Sequence, residues 1–171
     1  MGFKRQFPIG KGIYLPNSST TKILENGIYG EIYTKDNTDT TTLNNSGKVQ
    51  VLIFDSNGES RDTTPDHTND HIIIEKPGRY LVTISLTIAN TAGAAHVISL
   101  GLFKNNGVTQ LNNVHAGRGL TTATNVGSVS MSGLVEFSKD DTVELWALTD
   151  SGTDRAVTFE DVTLSIIKIG N

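Results

Sequence analysis

The most informative stretch of this sequence spans residues 79–90 and reads RYLVTISLTIAN. Large apolar side chains occupy every second position from Tyr80 to Ile88, and mainly small or polar side chains lie between them. Successive side chains of a β-strand point to opposite faces, so this period of two is typical of a half-buried strand. A helix would scatter the same apolar residues around its circumference. The stretch therefore predicts a long strand with one face in a core.

Similar runs recur along the chain, separated by turn signals such as the Asn-Asn-Gly sequence at residues 105–107. Asparagine and glycine tolerate the positive φ of tight turns. Further strands are predicted at residues 49–54, 97–104, 108–114, 126–137, 143–148 and 162–169. Strands at a spacing of about ten residues, with no helical pattern between them, are typical of a β-sandwich or barrel. We therefore expect an all-β fold.

The composition excludes several classes of site and partner. The 171 residues include no cysteine, which rules out disulfides, thiolate zinc sites and cysteine nucleophiles. A formal net charge of −4 argues against a nucleic-acid partner, because nucleic-acid binding needs a basic surface. The longest apolar runs are far shorter than the ~20 residues that span a bilayer, and no secretion signal is recognisable. We expect synthesis in the cytosol and no membrane partner.

The first 48 residues differ from the rest of the chain and predict a separate unit. They contain two prolines, a tract rich in threonine, asparagine and aspartate at residues 36–45, and no sustained period. We interpret residues 1–48 as an extended N-terminal arm with a small β element, and residues 49–171 as the β domain. Residues 1–11 hold three basic side chains and no acidic one, so the arm is chemically distinct. A flexible terminus without a role is the alternative.

Four short motifs follow one another in a recognisable order along residues 49–171. They are PGRY at residues 77–80, LFKNNG at residues 102–107, KDD at residues 139–141 before an apolar strand, and Phe159 before the last alternating run. This order resembles the complement globular-head and tumour necrosis factor superfamily. The chain departs from the family pattern at Asp140 and Asp161, where the family usually has glycine.

The resemblance implies an antiparallel two-sheet jelly-roll sandwich that assembles as a compact homotrimer. Candidates for the trimer interface alternate out of phase with the expected core residues, and they are Val97, Phe103, Trp146 and Leu148. The alternative is that these four side chains form a second layer of the monomer core.

The densest polar cluster spans residues 62–71 and contains Asp66, His67, Asp70 and His71. Imidazole and carboxylate groups are ligands for zinc and other transition metals. A four-residue histidine spacing aligns two ligands only on a helix, and the proline and asparagine within this cluster argue for a loop. We therefore expect a solvated loop that connects two strands, with no metal and no cofactor.

Catalytic motifs are scarce in this sequence. It contains no Gly-x-Ser-x-Gly elbow and no phosphate-binding glycine loop. One candidate carboxylate pair for acid–base chemistry is Glu144 with Glu160 or Asp161. These residues are more simply explained as solvent-facing charges that keep strand edges from pairing with other chains. We expect no enzymatic activity and no catalytic residues.

The cysteine-free, Thr/Ser/Asn/Gly-rich composition, the trimer-type jelly roll and the basic arm together look like virion proteins of tailed bacteriophages. Our first hypothesis is a capsid decoration (cement) protein that binds the major capsid protein. It would lie on the capsid exterior of a virion assembled in the host cytoplasm, and would stabilise the head by binding only the assembled shell. Three arms per trimer would add avidity. The candidate attachment residues are Phe3, Lys4, Arg5, Phe7 and Lys11.

A second hypothesis is a receptor- or glycan-binding head domain of a phage fibre. Recognition would then lie on exposed loops, such as the loop predicted at residues 112–125. That loop contains no aromatic residue on which a sugar ring can stack. A bacterial soluble ligand-binding module of similar fold is a third hypothesis.

Overall fold

The computed structural model describes residues 27–171, which form twelve strands and no helix. In chain order the strands are β1 (Tyr29–Thr34), β2 (Thr40–Leu43), β3 (Val49–Gln50), β4 (Ser56–Asn57), β5 (Thr63–Asp66), β6 (His71–Ile74), β7 (Gly78–Asn90), β8 (His96–Lys104), β9 (Thr109–Leu120), β10 (Val126–Phe137), β11 (Thr142–Thr149) and β12 (Arg155–Gly170). Within these residues we find no helix with the length and apolar character needed to cross a membrane.

The strands are arranged in two antiparallel sheets of six strands each. Sheet I has the order β10-β7-β12-β1-β4, with β2 also paired to β12, and sheet II has the order β5-β6-β11-β8-β9, with β3 paired to β11. β7 carries the alternating stretch described above, and it pairs with β10 from Gly78↔Phe137 to Ala89↔Val126 without a register shift. The predicted all-β, antiparallel two-sheet jelly-roll sandwich is confirmed.

The core lies between the two sheets and is built from the alternation of their long strands. The five apolar side chains from Tyr80 to Ile88 that share one face of β7 are each at most 3% exposed. They belong to one cluster with Ile98 of β8 and Leu145 of β11. Burying a side chain of this size contributes about 1.5–3 kcal/mol, so this cluster is the main source of stability.

Tyr80 anchors the start of β7 in the core. Its ring packs edge-to-face against Phe137, with the ring centroids 5.6 Å apart. Its hydroxyl donates a hydrogen bond to the carbonyl oxygen of Lys76 over 2.6 Å. Burial, with a smaller contribution from the negative charge of Asp62, raises the pKa of Tyr80 from 10.0 to about 12. The folded protein therefore keeps the phenol neutral at pH values where an unfolded chain ionises it.

Alkaline pH is expected to destabilise the fold through Tyr80. Because the pKa of Tyr80 is raised in the folded protein, the contribution of its neutral phenol to stability is complete below pH 10.0. This contribution is lost as the pH rises toward about 12. Tyr80→Phe should lose about 1 kcal/mol at pH 7 with its hydrogen bond, and should show a weaker loss of stability above pH 10.0. Urea unfolding at several pH values measures both effects, with the exposed Tyr33→Phe as control. An unchanged alkaline slope in Tyr80→Phe would contradict this role.

The sandwich begins earlier than the boundary predicted between residues 1–48 and residues 49–171. β1 pairs with β12 from Tyr29↔Ile167 to Thr34↔Val162, and β2 pairs with the first residues of β12. These two strands are short and mostly polar, so the few apolar residues that reach the core do not form a recognisable alternating pattern in the sequence. The candidate attachment residues lie outside the described residues; they are Phe3, Lys4, Arg5, Phe7 and Lys11.

Two segments predicted as loops are mostly strand. Residues 112–120 continue β9, which pairs with β8 as far as Leu120. Residues 63–66 and 71–74 form β5 and β6, so a loop is left only at the turn between them. The predicted turn at residues 105–107 is confirmed, because Asn105, Asn106 and Gly107 have φ values of 58°, 59° and 77°.

Candidate binding cleft on the outer face of sheet II

The outer face of sheet II collects the side chains that alternate out of phase with the core. On β8 and β11 the buried core residues alternate with outward residues, as the sequence predicted. The four residues predicted at a trimer interface share this face, and they are Val97, Phe103, Trp146 and Leu148. Val97 is 39% exposed but Phe103 only 5%. Their place in a trimer interface stays a prediction.

A cleft of about 260 Å³ lies on this face, and Gly101 of β8 is one of the residues that line it. Gly101 pairs with Trp146 of β11 on one side and with His115 of β9 on the other. A Cβ placed on Gly101 would meet no atom closer than 3.4 Å, so the missing side chain leaves an open floor. The walls are therefore the side chains of the two neighbouring strands. Lys48, Ser99, Phe103 and Gln110 also line the cleft.

An irregularity in the pairing of β8 and β9 shapes one wall of the cleft. Gly101 pairs with His115, but Phe103, two residues further on, pairs with Gln110. The extra residues of β9 send Leu111 and Val114 into the core, while Gln110 and His115 both line the cleft. Irregularities of this kind re-aim side chains and are frequent beside functional sites.

Trp146 is held in place from several directions. Its ring lies 5.7 Å from the ring of Phe103, with 49° between the ring planes. Its indole N–H donates a hydrogen bond to the Glu144 carboxylate over 3.3 Å. Gly107 lies directly against the indole, since a Cβ on this residue would sit 2.5 Å from Cζ2 of the ring. The indole is therefore positioned before any ligand arrives.

Glu144 connects Trp146 to the turn between β8 and β9. It is only 2% exposed, and its carboxylate accepts hydrogen bonds from the backbone N–H groups of Asn106 and Gly107 over 2.9 and 3.0 Å. The hydroxyl of Thr142 donates a further hydrogen bond to it. The interpretation of Glu144 as a solvent-facing residue is wrong, because the turn folds over its side chain.

Lys48 brings positive charge to the cleft. Its ammonium group lies 4.3 Å from the centroid of the Phe103 ring and donates a hydrogen bond to Oε1 of Gln110 over 2.6 Å. Among the described residues that line the cleft, none is acidic. The cleft thus combines an aromatic platform, neutral hydrogen-bonding groups and one cation.

Comparisons with known proteins identify the fold. No protein-family profile matches the sequence, and no curated protein is similar to it in sequence. The structure is similar to that of Eiger TNF from S. frugiperda, with a TM-score of 0.61 and 12% identity over 85% of this chain and 94% of the other. The chain has a tumour necrosis factor-like jelly-roll fold. At this identity the likeness concerns the fold alone.

The polar cluster of Asp66, His67, Asp70 and His71, predicted as a solvated loop, lies at the tight turn between β5 and β6. The Asn69 side chain donates a hydrogen bond to Asp66 and is the main cause that lowers the pKa of this carboxyl group, with a smaller contribution from the backbone N–H of Thr68. Asp70 accepts hydrogen bonds from two backbone N–H groups near residue 53, and burial raises its pKa. Nε2 of His71 lies 3.8 Å from the Asp66 carboxylate. Within residues 27–171, we find no group of three or more potential ligands arranged to hold a metal ion.

The jelly roll separates the candidate carboxylate pair. Glu144 lies on β11 of sheet II, whereas Glu160 and Asp161 lie on β12 of sheet I. No shared acid–base site arises from these residues. The cleft residues Gly101, Lys48 and Gln110 were missed by sequence reasoning. A glycine inside a strand pattern was the available signal, since it often marks a bulge or a close approach.

Proposed function

We propose that this chain is a non-enzymatic assembly protein that forms a homotrimer through the outer face of sheet I. Four apolar residues on that face are successive cross-strand partners: Leu134 pairs with Leu81, Leu81 with Ile167, and Ile167 with Tyr29. Leu134 is 60% exposed and Ile167 is 51% exposed. Leu81 and Tyr29 are partly exposed, and a contiguous apolar row that reaches solvent is typical of an interaction surface. The superfamily that the sequence resembles assembles as trimers, which supports a second and third copy as the occupants.

The face of sheet I is a stronger candidate for this contact than the residues first predicted on sheet II. Phe103 is almost completely covered by its own chain, and Trp146 already contacts Phe103 and Gly107. Leu134 and Ile167 have no such cover and lie on a row that crosses four strands. Removing this apolar surface from water is the driving force for association.

We further propose that the trimer decorates the exterior of a bacteriophage capsid and attaches to it through its N-terminal arm. Three basic and no acidic residues in residues 1–11 contrast with the net charge of −4 of the whole chain. A basic arm on an acidic body directs contact with an acidic partner to the arm. Three arms on one trimer engage together, and binding only the assembled major capsid protein stabilises the head.

Sedimentation equilibrium tests the assembly. The full chain is expected to sediment as a trimer, and the double variant Leu134→Ser with Ile167→Ser as a monomer that keeps its β-rich circular dichroism spectrum. Val97→Ser on sheet II is the matched control and should leave the trimer intact. A trimeric double variant, or a monomeric wild type at micromolar concentration, would overturn the proposed interface.

Copy number in purified phage particles tests the location. Hundreds of copies per head, lost on deletion of residues 1–11 while the trimer survives, are the expected result. A handful of copies per particle would contradict decoration and favour the receptor-binding head of a fibre. Decoration by the truncated chain would show that the arm is not the attachment element.

A further inference from the structure

We propose that the cleft around Gly101 binds a saccharide residue that carries a carboxylate, such as a uronic acid. This inference goes beyond the proposed assembly role and does not depend on it. The cleft lies on the outer face of sheet II, and the apolar row proposed for the trimer lies on sheet I. The cleft therefore stays accessible in the proposed trimer.

The indole of Trp146 is the platform for the sugar ring. One face of a pyranose ring presents C–H groups, which pack favourably against the electron-rich face of an aromatic ring. Trp146 is fixed by Phe103, by its hydrogen bond to Glu144 and by Gly107. A platform that is already ordered loses little conformational entropy when it binds.

The opposite wall supplies the hydrogen bonds that sugar hydroxyl groups need. Gln110 and His115 line the cleft from β9, and Ser99 lines it from β8. Amide, imidazole and hydroxyl groups can each donate and accept hydrogen bonds, as sugar hydroxyls do. The cleft volume of about 260 Å³ lies just below the ~300 Å³ at which pockets for drug-sized ligands begin, which suits a single ring.

The charge of the cleft selects an acidic sugar. Lys48 is the cationic residue at the rim, and within residues 27–171 its ammonium group forms no ion pair with a carboxylate. The described partners of the ammonium group are the ring of Phe103 and the side-chain oxygen of Gln110, and both are uncharged. A ligand carboxylate would give it a charge-assisted hydrogen bond, which is stronger than a neutral one.

Tryptophan fluorescence reports directly on this cleft, because Trp146 is the only tryptophan of the chain. The probes are trigalacturonic acid and the uncharged galactotriose. Trigalacturonic acid should change the emission saturably, with a Kd of about 1 mM. Galactotriose should bind about tenfold more weakly, because it lacks the charge-assisted contact. Added salt should weaken only the acidic probe.

Gly101→Val places a branched side chain on the floor of the cleft. The new Cβ would lie 3.4 Å from Phe103 and 3.6 Å from Gln110, which is ordinary contact, and valine favours strands. This variant should unfold at the same or a higher temperature and should lose the fluorescence response. Gly119→Val is the matched control on β9, where a Cβ meets no atom within 4 Å, and it should bind as wild type does.

Lys48→Met tests the selectivity for acidic sugars, because methionine keeps the apolar stem and removes the charge. The variant should bind both trisaccharides with the weak affinity of galactotriose. The proposal is overturned if the fluorescence of the wild-type protein responds to neither probe. It is also overturned if Gly101→Val binds the probes as tightly as the wild-type protein does. Equal binding of the two probes by wild type would overturn the acidic selectivity. A failure of trimer formation would leave these outcomes unaffected, so the two proposals fail separately.

Discussion

Replacing Asp141 by alanine is expected to lower the free energy of unfolding by about 3 kcal/mol. The substitution leaves the ammonium group of Lys104, which is largely buried, without its carboxylate partner. The Asp141 carboxylate accepts hydrogen bonds from Lys104 and Asn105, each over 2.9 Å. The backbone N–H of Ser138 donates a further one over 2.9 Å. The carboxylate thus joins the β10–β11 turn to the end of β8. Urea unfolding at pH 7, followed by circular dichroism, measures the loss.

The same carboxylate makes stability depend on acid. Burial alone would raise its pKa, but the hydrogen bonds from Asn105, Lys104 and Ser138 and the charge of Lys104 lower the pKa below 3.8. Because the pKa of Asp141 is lowered in the folded protein, the contribution of its carboxylate to stability is complete above pH 3.8. This contribution disappears as the pH falls through the pKa of the folded state. The wild-type protein should therefore lose stability in this window, and Asp141→Ala should lose less of it.

Asp140→Asn is the control for Asp141, because Asp140 is an exposed neighbour whose φ of 68° asparagine also tolerates. It should change the free energy of unfolding by less than about 0.5 kcal/mol. Equal effects at the two positions would show that the hydrogen bonds and ion pair of Asp141 do not stabilise the turn.

Glu144→Ala is the second substitution with a large expected effect, also about 3 kcal/mol, because it removes a buried carboxylate that accepts several hydrogen bonds and leaves those part-buried donors without an acceptor. Those donors are the backbone N–H groups of Asn106 and Gly107 and the indole N–H of Trp146. The emission of Trp146 should shift to the red as water reaches the ring. Denaturant unfolding and the emission spectrum of the native state measure the two effects.

Glu136→Ala is a matched control for Glu144, because Glu136 is a glutamate on a strand with an exposed side chain. It should leave both stability and emission close to wild type. Loss of stability in Glu144→Ala without a spectral shift would mean that Glu144 supports the turn but does not position Trp146.

Period-two patterns made the strands predictable from sequence. In residues 79–90 each side chain's face follows from its own position, so the buried face of β7 was readable without any partner strand. The turn at residues 105–107 was readable for a similar reason, since positive φ favours asparagine and glycine locally. β1 and β2 were not recognised as parts of the sandwich, because their pairing with β12 joins residues more than a hundred positions apart.

The candidate site was predictable only in part. Alternation correctly placed Phe103 and Trp146 on an outward face. It carried no sign that Glu144 is buried, because the turn that covers it comes from a different hairpin. It also missed the cleft itself, which needs Gly101 between Trp146 and His115 at the same height across three strands.

Local patterns in the chain therefore determine an all-β sandwich, its long strands and its tight turns, because period and backbone preference act over a few residues. The tertiary structure alone decides which outward residues become neighbours, since strand register is set by contacts between distant segments. That register brings Trp146, Gly101 and Lys48 together in one cleft, although Lys48 and Trp146 are 98 positions apart in the sequence. The same register aligns Leu134, Leu81, Ile167 and Tyr29 into one row on the outer face of sheet I.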